Sequence, residues 1–554
     1  MKARTIATAA ILLGAETTRA QNCTFETISP SKDLIWCPCE DQFLCARLDV
    51  PLDYKNPELA RASVPLLKLP ATPDSPDGPY RGAVLVNPGG PGVSGLDLVR
   101  EGGALLRAWI GSNYDIVGFD PRGVGLGEPR LNCSTNTTTL QTRDEEPHRL
   151  VDDFYQRYID FSADLGRRCE ARAGGETGAG RYMTTAVTAR DMLSFVDAFA
   201  SSADGGRVVE GGGNASVLNY YGISYGTFLG QTFASMFPGR VGRVALDGVV
   251  SPEGYQANGT FPGVTHLDGV LGAFFVYCHA AGPEACAYYT GETAMDIFER
   301  WRASFARLDA RGAEAEGWAN ASEIASALLT FKVGMLTAAT GPVVSFPAMA
   351  EALVGLEAAL AGGELAAWTA GLNAAIGDPG VEGRVNPEQS LGVLCSDQGN
   401  RLFGTTLEGL RPFVEQVEGQ SVVGETWVQQ ILGCSGWSIR GREVFEGPYG
   451  GETRADLLFV SNTFDPTTPI ENTVNNAPKF KGARRLTIEG LGHTASATLN
   501  QCALAVVKSY FQGTMCGRDI YCPLEAGPFN VLLNGSIQEN LVAAGLADIS
   551  SLYK

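Results

Sequence analysis

Three residues far apart in the 554-residue chain, Ser224, Asp465 and His493, have the types that acyl-transfer chemistry needs. A serine hydroxyl becomes a useful nucleophile only when the backbone holds it exposed beside a base, with amide hydrogens aimed at the charge developing on the substrate. Ser224 stands in Tyr221-Gly222-Ile223-Ser224-Tyr225-Gly226-Thr227, after an apolar run suited to a strand and before a stretch suited to a helix. A Gly-x-Ser-x-Gly match is common in a chain with 68 glycines, so its setting carries the argument. A strand, a sharp turn and a helix would put the serine at the apex. Glycine then occupies the two positions where a side chain would collide with the flanking elements.

The base must come from four histidines. His148 lies in a charged stretch, 144–149, and reads as a solvated residue; His266 and His279 open a helix-patterned region, where packing or surface roles are the default. His493 differs. It sits in Gly490-Leu491-Gly492-His493-Thr494, a flexible loop after a strand pattern, able to carry an imidazole across to a serine on another strand. Asp465, in Ser461-Asn462-Thr463-Phe464-Asp465-Pro466, ends the preceding strand pattern and would orient that imidazole. Asp247, in Leu246-Asp247-Gly248, also ends a strand pattern and is the rival acid. The chain order Ser, Asp, His is the one that α/β-hydrolases use. Gly89-Gly90-Pro91-Gly92 follows another strand pattern and can supply one oxyanion donor, with Tyr225 the other.

Other chemistries fit less well. A phosphate loop would need Lys-Ser/Thr after its glycines, and none follows. No histidine pair or His/Cys cluster has zinc-ligand spacing outside the cysteines assigned to disulfides, and no cysteine shares the strand-turn-helix setting of Ser224. Neither metal nor cofactor is expected.

The elements that must position these residues alternate. Strand patterns at 46–52, 62–69, 82–87, 113–119, 217–221 and 244–250 are interleaved with helix patterns from 93 to about 109, at 151–173 and at 186–200. That alternation predicts a mostly parallel α/β sheet with crossover helices. Residues 204–214 read as a glycine-rich loop. From 251 to 440 the chain is alanine-rich and helix-patterned, with 292–311 a good amphipathic example; strand patterns return at 456–461 and 485–488. The expected architecture is therefore an α/β core, 21–250 and 441–554, interrupted by a helical insertion, 251–440, an arrangement that the family resemblance given below identifies with the α/β-hydrolase fold and its cap.

Composition bounds partners and compartment. With 44% hydrophobic and 19% charged residues the chain is globular, and a formal charge of −19 argues against nucleic acid or an anionic membrane as partner. Residues 1–20 read as an export signal: Lys2 and Arg4, an apolar stretch over 6–15, then Thr18-Arg19-Ala20 as a cleavage site. The apolar stretch is short of the roughly 20 residues that span a bilayer, and no later segment reads as an anchor. Seven Asn-x-Ser/Thr acceptors, Asn22, Asn132, Asn136, Asn214, Asn258, Asn320 and Asn534, and 13 cysteines fit a secreted glycoprotein with disulfides. Proximity pairs Cys39 with Cys45, Cys133 with Cys169, Cys278 with Cys286, and Cys395 with Cys434; the odd thiol falls among Cys502, Cys516 and Cys522.

Asn87-Pro88-Gly89-Gly90-Pro91-Gly92, Asp120-Pro121-Arg122-Gly123-Val124-Gly125, the Ser224 turn and Asp465-Pro466-Thr467-Thr468-Pro469 together resemble the secreted tripeptidyl aminopeptidase-like branch of the α/β-hydrolases, relatives of the prolyl aminopeptidases. Val50-Pro51-Leu52-Asp53-Tyr54 and Leu246-Asp247-Gly248-Val249-Val250 extend the likeness over nearly the whole mature chain. The resemblance implies Ser224 as nucleophile, His493 as base and then acid, Asp465 as orienter, Gly90 with Tyr225 as oxyanion donors, and the insertion as a lid that admits small substrates or peptide ends. An aminopeptidase also needs an acid for the substrate's α-ammonium, for which Asp397 and Glu284 are candidates. The expected activity is removal of short peptides from free N-termini. An esterase, lactonase or tailoring hydrolase is the alternative, and a non-catalytic binding module the rival from another class. The substrate would be a peptide or small acyl compound; oligomeric state is not legible.

Overall fold

Ala83–Asn87 and Asp115–Phe119 are buried at every residue, as parallel strands covered by helices on both faces must be. The computed structural model describes residues 23–133, 150–257, 263–308, 321–376 and 386–553. In it these runs are β4 and β5 of a ten-stranded sheet. The other strands are β1 (Cys37–Cys39), β2 (Phe43–Pro51), β3 (Arg61–Leu69), β6 (Leu218–Ile223), β7 (Val241–Asp247), β8 (Leu458–Phe464), β9 (Arg484–Leu491) and β10 (Asp519–Cys522). Their order across the sheet is β1-β2-β3-β5-β4-β6-β7-β8-β9-β10. The first three strands run antiparallel, and all pairings from β5 to β10 are parallel. The carboxyl ends of β4, β6, β7, β8 and β9 therefore share one rim.

Helices α1 (Gly95–Ile110), α3 (Thr185–Ala200), α4 (Ala203–Glu210), α5 (Tyr225–Met236), α15 (Ile470–Asn476) and α16 (Gln501–Gln512) flank the sheet; α2 (Leu150–Ala173) leaves it. After β7 come α6 (Pro252–Gln256), α7 (Leu267–Ala281), α8 (Ala294–Ala306), α9 (Ala321–Thr340), α10 (Pro342–Gly362), α11 (Leu365–Ile376), α12 (Pro387–Asp397), α13 (Leu407–Glu418) and α14 (Gln429–Cys434). The chain ends in α17 (Ile537–Ala543) and α18 (Ile549–Tyr553). Among the described residues, 251–440 holds helices and turns without strands, as its alanine-rich pattern predicts.

Two segments outside 251–440 pack against the helices within it. Helix α2, assigned to the core, packs against the cap: Tyr155, Leu165 and Cys169 share an apolar cluster with Leu394, Ile431, Leu432 and Trp437. The C-terminal segment, also assigned to the core, buries Phe529, Ile537, Leu541, Leu546 and Ile549 against Leu271, Phe274 and Phe275 of α7. In both places an amphipathic helix follows the apolar surface nearest in space rather than the one nearest in sequence.

Two local expectations also change. Part of the 204–214 loop is helix α4, because Ser202 caps it by accepting from the Gly205 amide, and Val208 is buried beneath it. Helix α10 is long and apolar enough, by length and composition, to cross a membrane, where no such segment was expected. Its apolar residues include three valines and three leucines beside six alanines, and Phe346, Leu353, Leu356 and Leu360 are buried within the fold. All four proximity-based disulfides are present, joined by Cys23–Cys37 and Cys502–Cys522, and Cys516 is the free, exposed thiol. Asn132, Asn214 and Asn534 are exposed; Asn22, Asn136, Asn258, Asn320, His148 and the export signal lie outside the described residues.

Candidate active site

The turn between β6 and α5 holds Ser224 at φ 55°, ψ −123°, a conformation that L-residues avoid and that surrounding structure must enforce. The enforcement is steric. A Cβ on Gly222 would lie 2.4 Å from the Gly226 carbonyl oxygen, and one on Gly226 would lie 2.8 Å from that of Asn87. The Gly89 loop presses on the same turn, since a Cβ there would meet Ser224 Cβ at 2.8 Å and the Tyr225 nitrogen at 3.0 Å. Tyr225 opens α5, so its amide has no carbonyl one turn earlier in the helix to bond. Gly90, Ser224 and Tyr225 line one pocket of about 490 Å³ with Pro91, Tyr255, Trp427, Gln430 and Thr468.

Asp465 and His493 lie within hydrogen-bond distance of each other. His493 Nδ1 lies 3.0 Å from Asp465 Oδ2 and 3.1 Å from Oδ1. The same carboxylate accepts from the amides of Thr467 (3.0 Å), Thr468 (2.8 Å) and Thr494 (3.1 Å), and from the Thr468 hydroxyl (2.7 Å). Burial pushes this carboxyl upward, but the His493 charge and the hydrogen bonds outweigh it and hold Asp465 below its ordinary range. Thr468 Oγ1 also stands 3.1 Å from His493 Nδ1.

The imidazole lies at the end of β7, the strand that also holds the Ser224 turn. A Cβ on Gly248 would lie 3.0 Å from His493 Cε1, and the carbonyl of the preceding residue, Asp247, accepts the Ser224 amide at 2.9 Å. Asp247 does not bond the imidazole among the described contacts. Its carboxylate accepts from the Tyr221 hydroxyl (2.7 Å) and the Ala495 amide (2.9 Å), which ties down the loop that carries His493. Burial drives Asp247 up to about 6, against those two donors.

The two residues suggested for an α-ammonium are placed otherwise. Glu284 is exposed in the turn after α7 and does not line the pocket, because the helix carries it away from the sheet rim. Asp397 is buried behind the pocket wall. It accepts from the Thr185 amide (2.8 Å), the Thr185 hydroxyl (2.6 Å) and the Tyr255 hydroxyl (3.2 Å), while Thr185 Oγ1 meets the Tyr225 hydroxyl at 2.5 Å. Burial pushes the Asp397 carboxyl up to about 7. Among the described lining residues of the pocket there is no carboxylate.

The other described histidines bond elsewhere: His266 Nε2 pairs with Glu471 at 2.9 Å, and His279 Nε2 faces the Glu292 carbonyl oxygen at 2.9 Å. The Asp120-Pro121-Arg122 motif is scaffold. Arg122 bonds Asp191 in the interior and donates to the carbonyls of Pro51 and Leu52, so two distant motifs share one buried ion pair. Sequence reading missed Thr468 although it lay in a quoted motif; Asp-x-Thr-Thr is an Asx-turn pattern that announces such bonds. Thr185, Tyr255, Trp427 and Gln430 carry no comparable local signal.

Residues 82–272 match the alpha/beta hydrolase fold family, and residues 420–522 match the TAP-like protein family. The chain is 25% identical over 515 residues to a tripeptidyl aminopeptidase of Streptomyces coelicolor, covering 87% of this chain and 84% of that one. It is 30% identical over 226 residues to serine protease Hip1 of Mycobacterium tuberculosis, 39% of each chain. Over 93 residues, 17% of each chain, it is 44% identical to carboxylesterase B of the same organism.

Proposed function

From the premise that the chain has the α/β-hydrolase fold and resembles the TAP-like branch, we propose that this hydrolase is a secreted serine exopeptidase releasing short peptides from free N-termini. The observation that carries the reading is the Asp465–His493 pair held over the end of β7, beside a serine forced into a left-handed turn. Ser224 Oγ attacks the acyl carbon while His493 takes its proton. Asp465 keeps the imidazole in the tautomer and orientation that can accept that proton, and offsets the positive charge it gains. The amides of Gly90 and Tyr225 receive the oxyanion, each worth about 3 kcal/mol of barrier stabilisation. His493 then gives the proton to the departing amine, and water releases the acyl group from Ser224 by the same steps in reverse. The covering helices supply the lid that restricts entry. Six disulfides and exposed Asn132, Asn214 and Asn534 fit passage through an oxidising, glycosylating route.

A specific observation favours a second reading, hydrolysis of a neutral ester. The described pocket lining has no carboxylate to hold an α-ammonium, and acyl-transfer machinery serves esters and amides alike. The deciding experiment treats the mature protein and Ser224→Ala with a fluorophosphonate probe, then compares free and N-blocked tripeptidyl chromogens with simple esters. Labelling of wild type alone, with turnover of the free tripeptidyl chromogen, is the expected result. Turnover of esters only would replace the peptidase by the esterase. Equal labelling of both proteins would remove Ser224 as nucleophile.

A further inference from the structure

His493 lines a second cleft, apart from the pocket that holds Gly90, Ser224 and Tyr225. This cleft has about 570 Å³ of open space, its mouth included, between the cap turn carrying Thr340, Gly341, Val344 and Ser345 and the loop His493, Ser496, Ala497 and Leu499. The two walls are fixed to each other. The His493 amide donates to the Thr340 carbonyl at 2.8 Å, and Gly492 permits the approach, since a Cβ there would fall 2.6 Å from Pro342 Cδ.

Two exposed apolar side chains converge on it, Val344 at 77% and Leu499 at 54% of full exposure. Scattered apolar residues on a surface need no explanation, but two facing each other across a cleft beside a histidine do. Leu499 is also held at φ 50°, a left-handed conformation costly for leucine. Buried neighbours impose it: the Thr498 hydroxyl donates to the Ala495 carbonyl, and the Asn500 side chain donates to that of Pro523. No Asp, Glu, Lys or Arg is among the residues lining the cleft.

We infer that this cleft is the leaving-group subsite of the reaction proposed above, and that it takes an uncharged, apolar amino-acid side chain immediately beyond the scissile bond. The inference rests on that reaction. When the bond to the departing nitrogen breaks, the proton on that nitrogen comes from His493, so the leaving group must depart along a surface that His493 borders. The oxyanion and acyl portion occupy the pocket of Gly90 and Tyr225, which leaves the second cleft for the other half of the substrate. Its lining offers van der Waals contact and small hydroxyls, and apart from His493 it has no ionisable side chain.

The subsite can be read in reverse, independently of peptide specificity. An acyl-enzyme made from a p-nitrophenyl acyl ester is intercepted by amino-acid amides: the amine nitrogen bonds to the acyl carbon, the Ser224 Oγ–C bond breaks, and the amine proton passes through His493 to Oγ. Partition between aminolysis and hydrolysis is measured with leucinamide, glycinamide and the α-amide of aspartic acid, each corrected for its fraction of free amine. Leucinamide should exceed the aspartyl amide by at least about tenfold, the discrimination expected of one apolar side chain's pocket. Val344→Lys and Leu499→Lys should each cut that ratio at least threefold by favouring the aspartyl amide, while Val542→Lys, at an exposed valine on α17, leaves it unchanged. Equal partition of the three amides, or lysine variants that partition like wild type, overturns the subsite while leaving the hydrolase intact. Absence of Ser224 labelling by the fluorophosphonate probe overturns the underlying reaction, and the subsite with it.

Discussion

Two neighbouring strand ends, after β7 and after β8, present the His493 loop with the same chemical group in opposite electrostatic states. Asp247 and Asp465 are both fully buried, and both accept an amide of that loop, Ala495 for one and Thr494 for the other. Burial alone raises a carboxyl, and at Asp247 it prevails over the Tyr221 hydroxyl, the Ala495 amide and the His493 charge, with the neighbouring Asp465 charge acting in the same direction as burial. At Asp465 an imidazole, three amides and a threonine hydroxyl converge, and the balance reverses. Position at a strand end therefore does not make a carboxylate an orienting acid; the donors gathered around it do.

The sharpest way to break this comparison is to neutralise each carboxyl in turn. Asp465→Asn keeps the shape but presents an amide where Nδ1–H needs an anion, and kcat should fall by about 10⁴ with KM little changed. Asp247→Asn should lower kcat by about tenfold at most, since it only loosens the Ala495 anchor. Both are measured on the best chromogen. Equal losses would mean that the two acids share the orienting role.

The next effect is on stability rather than rate, and it works only at Asp247. An unfolded aspartyl side chain loses its proton near pH 4, whereas the folded Asp247 keeps it to about 6. Between those values the folded chain holds more protons, so this group's contribution to stability is full at low pH, declines as pH rises through that window, and stays flat above it. The decline is worth up to about 3 kcal/mol, at roughly 1.4 kcal/mol per tenfold change in acid constant. Asp247→Asn removes it. The stability difference between variant and wild type, from urea unfolding, should shift in the variant's favour by up to that amount between pH 4 and pH 7. Asp465 has the opposite sign: its contribution is present at neutral pH and is lost as pH falls below the ordinary carboxyl range.

How far the sequence revealed this follows from the reach of each signal. The strand-turn-helix around Ser224, the glycine loop at Gly90 and the strand-end positions of Asp465 and His493 are local patterns, and the structure brings them to one rim. Choosing Asp465 over Asp247 as the imidazole's partner needed only chain proximity. The electrostatic contrast between them did not follow from sequence, because Tyr221 and Ala495 reach Asp247 from different strands' surroundings. The cap was legible as helices but not as an assembly: α2 and the C-terminal helices join it through apolar faces whose partners lie more than 200 residues away. The place of Glu284 outside the pocket lining was hidden for the same reason, since composition cannot tell which end of α7 meets the sheet.

A third buried carboxyl sharpens the comparison at smaller amplitude. Asp397 resembles Asp247 in having hydroxyl and amide donors and no cation among its described partners, and burial lifts it to about 7. When ionised it accepts from Thr185 and Tyr255, so the Thr185 hydroxyl is free to accept from Tyr225. When protonated it must donate one bond, and the hydroxyl chain that links it to Tyr225 and Tyr255 has to reorient. Tyr255 lines the pocket and Tyr225 follows the nucleophile, so the reorientation should alter substrate fit rather than proton transfer. Asp397→Asn fixes an amide in place of the protonated acid at every pH. It should raise KM about threefold above pH 7.5, roughly the worth of part of one hydrogen bond, and leave it unchanged at pH 6. Because every other group is common to both proteins, the ratio of variant to wild-type kcat/KM against pH isolates the Asp397 contribution. A loss of 10² or more in kcat, independent of pH, would place Asp397 with Asp465 rather than with Asp247, and the donors around a buried carboxyl would then not suffice to tell its role.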